Sequence, residues 1–170
     1  MEAFEIHGVL LRLSSDEVSP VIWQALKDGS YEAKEARSVA RAVRPGDRVL
    51  ELGSGIGVIT SVIARIPDVS VFAFEANPTT ARLAERILEA NGARNVRFSQ
   101  GLLTAGDPDT HIFYVRRDLW MSSMDETQGP YESRIEIGSK NIDAFIQQHD
   151  INVLVMDIEG AERDLLRDAK

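Results

Sequence analysis

Arg48, Val49, Leu50, Glu51, Leu52, Gly53, Ser54, Gly55, Ile56, Gly57, Val58 is the stretch on which the fold turns: a short apolar run, three alternating glycines, then an apolar helix pattern to Ile66 that Pro67 closes. Glycines at a strand-to-helix junction let the backbone turn tightly and let a ligand approach the unpaired N–H groups of the helix start. A tight turn without a ligand is the plainer alternative. Val69 to Phe74 follows as a nearly unbroken apolar strand. Strand, helix, strand in this order predicts a parallel crossover unit.

Working outward, Glu32 to Val43 reads as a helix with Ala36, Val39, Ala40 and Val43 on one face, stopped by Pro45 and Gly46. Thr79 to Ala90 is a second helix, which Asn91 and Gly92 suit as a left-handed end, and Val96 to Ser99 is a third strand. Between Thr104 and Lys140 the sequence becomes polar and turn-rich. Two extended stretches there, Ile112 to Val115 and Arg134 to Ile137, predict an inserted hairpin around Asp125 to Tyr131. A short helix that Asp143 caps, a strand over Val153 to Met156 and a last helix from about Ala161 complete the alternation. The expected fold is α/β, a Rossmann-like doubly wound and mostly parallel sheet with strand order near 3-2-1-4. Residues 1–44 read as an N-terminal segment with a helix and 45–170 as the sheet core of a single domain; Phe4 to Leu13 has a loosely extended pattern.

The chain has 170 residues, with 19 Lys and Arg against 27 Asp and Glu, a net charge of −8. With 44% hydrophobic and 27% charged residues it is neither disordered nor of low complexity. Its negative charge argues against nucleic acid as partner, since that affinity comes from Lys and Arg displacing counterions. The absence of Cys removes thiol chemistry and fits a reducing compartment. No apolar run approaches the roughly 18 to 20 residues of a membrane span, and Met1 to Gly8 is acidic and polar, so a cytoplasmic location and no membrane partner are expected.

Glu75 ends the second strand, 75 − 57 = 18 positions past Gly57. A carboxylate at that tip faces the glycine loop and can accept hydrogen bonds from ribose hydroxyls, although a solvated strand end is the competing reading. Together they predict an adenosine ligand. A dinucleotide fingerprint requires G-x-G-x-x-G, but here the pattern is G-x-G-x-G and Val58 fills the last glycine's place. Glu51 would repel a pyrophosphate and attract an ammonium group, directly or through water. No Lys follows the last glycine, as a triphosphate loop needs. S-adenosyl-L-methionine, a cation without phosphate, fits this acidic surround better than NAD.

Asp157, Glu159 and Glu162 lie at the carboxyl edge of the sheet, where such folds bind ligands. Asp157 is expected to face the loop from the neighbouring strand, and Glu159 to act as base or acceptor. Glu162 fits better as a carboxylate stabilised by the helix dipole. Oxygen ligands of this kind suit Mg²⁺ or Ca²⁺, but the first turn of a helix points them apart, and no metal is expected.

Asp157 to Glu162, in the pattern D-x-E-G-x-E, resembles the class I S-adenosylmethionine-dependent methyltransferases, and among them the FkbM family. Ile142 to Phe145, the G-x-Y-E segment Gly29 to Glu32 and its continuation to Glu35, Pro45 to Gly57, Glu75 to Pro78 and Asn91 to Val96 resemble it too, so the likeness spans about Gly29 to Leu166. The resemblance implies O-methyl transfer to a hydroxyl of a small molecule or sugar. It implies cofactor contacts from Glu51, Gly53, Ser54, Gly55, Gly57, Glu75 and Ala76, with Asp157 near the transferred methyl and Asp157 or Glu159 as base. Tyr31 and Glu32 are implied at the site's margin, with helix capping the alternative for Glu32. Many relatives carry an acid at the end of the third strand to meet adenine. Gln100, Gly101 and Leu102 stand there instead, so adenine is expected to meet backbone groups or Gln100.

The chain stops at Lys170, just past the helix after the fourth strand, whereas the family fold continues. The open edge this leaves predicts a shortened chain, a homo-oligomer, or coverage by Phe4 to Leu13. His7, His111 and His149 are scattered and read as surface or capping residues, His111 with a possible substrate contact. Arg116, Arg117 and Trp120 read as a solvated hairpin rather than a nucleic-acid patch. A catalytically inactive S-adenosylmethionine-binding module and an NAD-dependent oxidoreductase are the alternative functions.

Overall fold

A strand that is apolar on both sides must be covered on both sides, and the central sheet is built from such strands. The computed structural model describes residues 1–116, 122–158 and 161–169. Its elements begin with a hairpin of β1 (Glu2–Ile6) and β2 (Val9–Leu13), followed by α1 (Pro20–Asp28) and α2 (Ala33–Ala42). The core alternates β3 (Arg48–Leu52), α3 (Val58–Ala64), β4 (Ser70–Glu75), α4 (Pro78–Ala90) and β5 (Val96–Gln100). After β6 (Leu102–Thr104), β7 (Thr110–Val115) and β8 (Ser133–Asn141) come α5 (Ile142–His149), β9 (Val153–Met156) and α6 (Glu162–Asp168).

β5, β4, β3 and β9 form a parallel sheet in that order, the expected 3-2-1-4 arrangement. Val49, Val71 and Ala73 face the helices and pack with Ala36 and Val39 of α2 and Ile59 and Ile63 of α3. Leu50, Leu52, Phe72 and Phe74 point the other way and pack with Phe145 of α5 and Leu165 of α6. Each fully buried side chain of this size contributes about 1.5–3 kcal/mol. The crossovers therefore leave the carboxyl ends of β3, β4 and β9 side by side at one edge.

The inserted hairpin is present as β7 against β8, antiparallel, and the three-residue β6 adds to β8 in parallel. Three expectations are corrected. Asn141, not Asp143, caps α5: it has the extended backbone a cap requires and its Oδ1 accepts from the Ala144 N–H at 2.8 Å. Phe4 to Leu13 does not cover β9. It forms the separate β1–β2 sheet, whose alternating Ile6, Val9, Leu11 and Leu13 match an apolar surface of Ile22, Val58, Leu83 and Ile87. Among the described residues β9 is hydrogen-bonded to β3 alone. Finally, Glu32 does not cap α2 with its side chain; it stands before the helix in the left-handed region, at φ 50°, ψ 28°. Among the described residues no helix is long and apolar enough to cross a membrane.

Candidate functional site

The glycine loop is sewn to the tip of β4. The Gly53 and Ser54 N–H groups both donate to the Phe74 carbonyl, at 2.9 and 3.1 Å, and the Ser54 hydroxyl donates to it too, at 3.1 Å. Gly53 has φ 80°, and a Cβ there would collide with the Asp157 carbonyl oxygen, so a bare backbone is what lets the tip of β9 close on the loop. At Gly57, φ 85°, a Cβ would press on Ala84 of α4 at 3.2 Å. Gly55 stands between them and offers its N–H to Glu75 Oε2 at 2.9 Å.

Above this loop lies a cavity of about 1010 Å³, the upper end of the size usual for small-molecule sites. Leu52, Gly53, Gly55, Glu75, Asp157 and Ile158 form its floor at the sheet edge. Tyr31, Glu32 and Glu35 close one side, Gly101 to Gly106 another, and Ser122 to Asp125 with Gln128 overhang from the β7–β8 hairpin. Among the described lining residues six are acids, Glu32, Glu35, Glu75, Asp125, Asp157 and Asp168, and none is Lys, Arg or His.

Burial, and to a lesser degree neighbouring charge, sets the titration of these acids. Burial pushes Glu75 from 4.5 up to about 7, against the N–H groups of Asn77, at 2.8 Å, and Gly55, which favour its charged form. Burial pushes Glu32 up to about 8; the Tyr31 hydroxyl that donates to it acts against this, and the charges of Glu51, Asp157 and Glu35 add to it. Glu51 is raised to about 7, chiefly by burial and further by Glu75. Thr60 beside it offsets part of the penalty, yet Glu51 Oε2 and the Thr60 hydroxyl form no hydrogen bond of sound geometry. Asp157, at the exposed mouth, is raised by partial burial and by the charges of Glu162 and Glu35. A positive ligand would lower all of these at once.

Of the residues expected at the site, Gly53, Gly55, Glu75, Ala76, Gly101, Leu102 and Asp157 line the cavity. Glu51, Ser54 and Gly57 do not: Glu51 is buried behind the loop, the Ser54 hydroxyl is committed to Phe74, and Gly57 packs on Ala84. Glu159 lies outside the described residues, as do Arg117 and Trp120. Glu162 takes the structural part expected of it, its Oε1 accepting from the Ile158 N–H at 2.8 Å. His111 bonds Ser139 at 2.9 Å and does not line the cavity. His149 stacks on Phe72 and Phe145. Arg116 is buried beneath the overhanging loop, donating to the carbonyls of Tyr114 and Asp125 and to the Ser123 hydroxyl. Among the described residues no group of three or more His, Cys, Asp or Glu is arranged to hold a metal ion. Sequence reasoning missed the overhang of Ser122 to Gln128, where Asp109 and Asp125, with their local turns, were the available signals.

The methyltransferase FkbM domain model matches residues 51–170. A protein-L-isoaspartate O-methyltransferase of Methylorubrum extorquens is 47% identical over 75 residues, 44% of this chain and 32% of the relative. An uncharacterized protein of Methanocaldococcus jannaschii is 23% identical over 117 residues, 69% of this chain and 43% of the relative. Among solved structures, Methanocaldococcus jannaschii TYW2 in complex with AdoMet is similar at a TM-score of 0.46 and 21% identity, covering 58% of this chain and 42% of that one. The chain thus spans less than half the length of these relatives. By its glycine loop, sheet order and matched residues, the chain belongs to the methyltransferase FkbM domain family, a family of S-adenosylmethionine-dependent enzymes.

Proposed function

We propose that the cavity binds S-adenosyl-L-methionine and that the protein transfers its methyl group to a hydroxyl of a small molecule or sugar. The observation that supports this most is the lining itself: among the described residues it holds six carboxylates and no cation, and burial, which a positive ligand would offset, raises three of those acids above their ordinary range. A pyrophosphate beside those carboxylates would be repelled, which disfavours the NAD reading. Glu75, already fixed by Gly55 and Asn77, keeps lone pairs free for ribose hydroxyls. Gly53 and Gly55 bring backbone close to the ligand, and Ala76, Gly101 and Leu102 form the wall on which adenine would lie.

Bound there, the cofactor supplies an electrophilic methyl on sulfur. What the chain adds is alignment, worth up to about 7–11 kcal/mol when ideal, and a proton acceptor worth roughly 10²- to 10⁴-fold. Asp157 is the acceptor among the described residues: it is at the mouth, and its raised affinity for a proton suits a base. Acids on the wall argue for a neutral, hydroxyl-rich acceptor over a nucleic acid. Incubating the protein with methyl-labelled S-adenosylmethionine and a panel of sugars and hydroxylated metabolites tests the reading. Label in an acceptor supports it. Binding without transfer to any of them favours the inactive module, and preference for NAD removes both. Among the described residues β9 pairs with β3 alone, and this open edge supports a homo-oligomer as well; a monomer in light scattering removes that part alone.

A further inference from the structure

The segment joining α1 to α2 contains a carboxylate whose position nothing in the fold requires. Glu32 adopts the left-handed backbone region at φ 50°, costly for a residue with a Cβ, and its side chain leaves the start of α2 uncapped. It turns instead over the glycine loop, where a Cβ on Gly55 would stand 3.6 Å from Glu32 Oε1 and 3.8 Å from the Tyr31 hydroxyl. The Tyr31 hydroxyl beside the carboxyl favours its charged form, but Oε2 is buried and has no hydrogen-bond partner among the described residues. The pair is held from outside the sheet: His7, at the turn of the β1–β2 hairpin, bonds the Tyr31 carbonyl through Nε2 at 2.7 Å.

We propose that Glu32, set over Gly55 by Tyr31 and by the His7 hairpin, binds the ammonium group of the S-adenosyl amino acid, which makes the N-terminal hairpin part of the cofactor site. The proposal rests on the cofactor reading above. The choice of ammonium over sulfonium follows from the unserved atom. A buried acceptor asks for a hydrogen-bond donor; an ammonium brings three N–H groups and a sulfonium brings none. Ribose is already provided for at Glu75, on the strand side of Gly55.

Two probes separate the ammonium from the rest of the ligand. S-adenosylhomocysteine and 5′-methylthioadenosine share the nucleoside and an uncharged thioether, and only the first has the amino acid. By calorimetric titration, Glu32→Gln weakens S-adenosylhomocysteine by about tenfold or more, the loss of one charge-assisted hydrogen bond, and leaves methylthioadenosine unchanged. His7→Asn, which tolerates the left-handed backbone of residue 7 (φ 52°) but is too short to reach Tyr31, shifts affinity in the same selective way without touching the acid. Equal losses for both probes, or no loss for either, overturn the proposal, the latter meaning that ordered water serves Oε2. Wild-type protein that binds neither probe removes the nucleoside reading itself.

Discussion

Parity along a strand decides what a single residue can do. Glu51 shares a face of β3 with Val49, among the side chains that meet α2 and α3, while Leu50 and Leu52 face α5 and α6. An acid two residues before the first glycine is legible in sequence as a site residue, but its direction follows from the two-residue period, and that takes it behind the loop. Glu75 is the last residue of β4 and Asp157 the first after β9, and both line the cavity. Two predictions belong to this scale. Glu51 has its proton affinity raised from 4.5 to about 7, so its ionisation costs the fold nothing at pH 4.5 and progressively more up to about pH 7. Glu51→Gln therefore raises the melting temperature at pH 8, by the equivalent of about 3 kcal/mol at most, and leaves it nearly unchanged at pH 4.5. Gly53→Ala sets a Cβ against the Asp157 carbonyl in a left-handed backbone and lowers stability by more than about 1 kcal/mol in chemical denaturation.

Elements were legible where they are long or flanked by strong stops. The apolar runs of β3, β4 and β9, built from Val, Leu, Phe and Met, and the capped helix α4 follow the pattern of the sequence closely. The three residues of β6 are too few to show a period, and their pairing with β8 is set by a partner some 37 positions away, Leu102 against Ser139. α1 escaped notice although Ser19 and Pro20 mark a helix start, the Ser19 hydroxyl accepting from the Ile22 N–H at 3.4 Å. The β7–β8 hairpin is an element whose tip depends on one buried cation. Arg116→Met removes donors to three backbone carbonyls and one hydroxyl, and destabilises the protein by about 2 kcal/mol or more. Hydrogen exchange reads it more specifically: the amides of residues 122–126 exchange faster, while those of β3 and β4 keep their protection.

Across the molecule, acids from separate elements, Glu32, Glu35, Glu75, Asp125, Asp157 and Asp168, meet at one cavity on the sheet edge. Glu32 at about 8 and Glu51 and Glu75 at about 7 all bind protons more tightly folded than unfolded, where 4.5 is their ordinary value. Their contribution to stability is full below pH 4.5 and is lost as the pH rises through 7 to 8, so the melting temperature of the free protein falls across that window. A cation in the cavity reverses the effect, and the ligand-induced rise in melting temperature is larger at pH 8 than at pH 5. The most direct test of the account is calorimetric titration of S-adenosylmethionine and NAD, side by side, into wild-type protein and Glu75→Gln at pH 7. The account predicts binding of S-adenosylmethionine with release of protons to the buffer, little or no binding of NAD, and an affinity about tenfold or more lower in the variant. Binding of NAD at equal or greater affinity, or an unaltered affinity in Glu75→Gln, contradicts it.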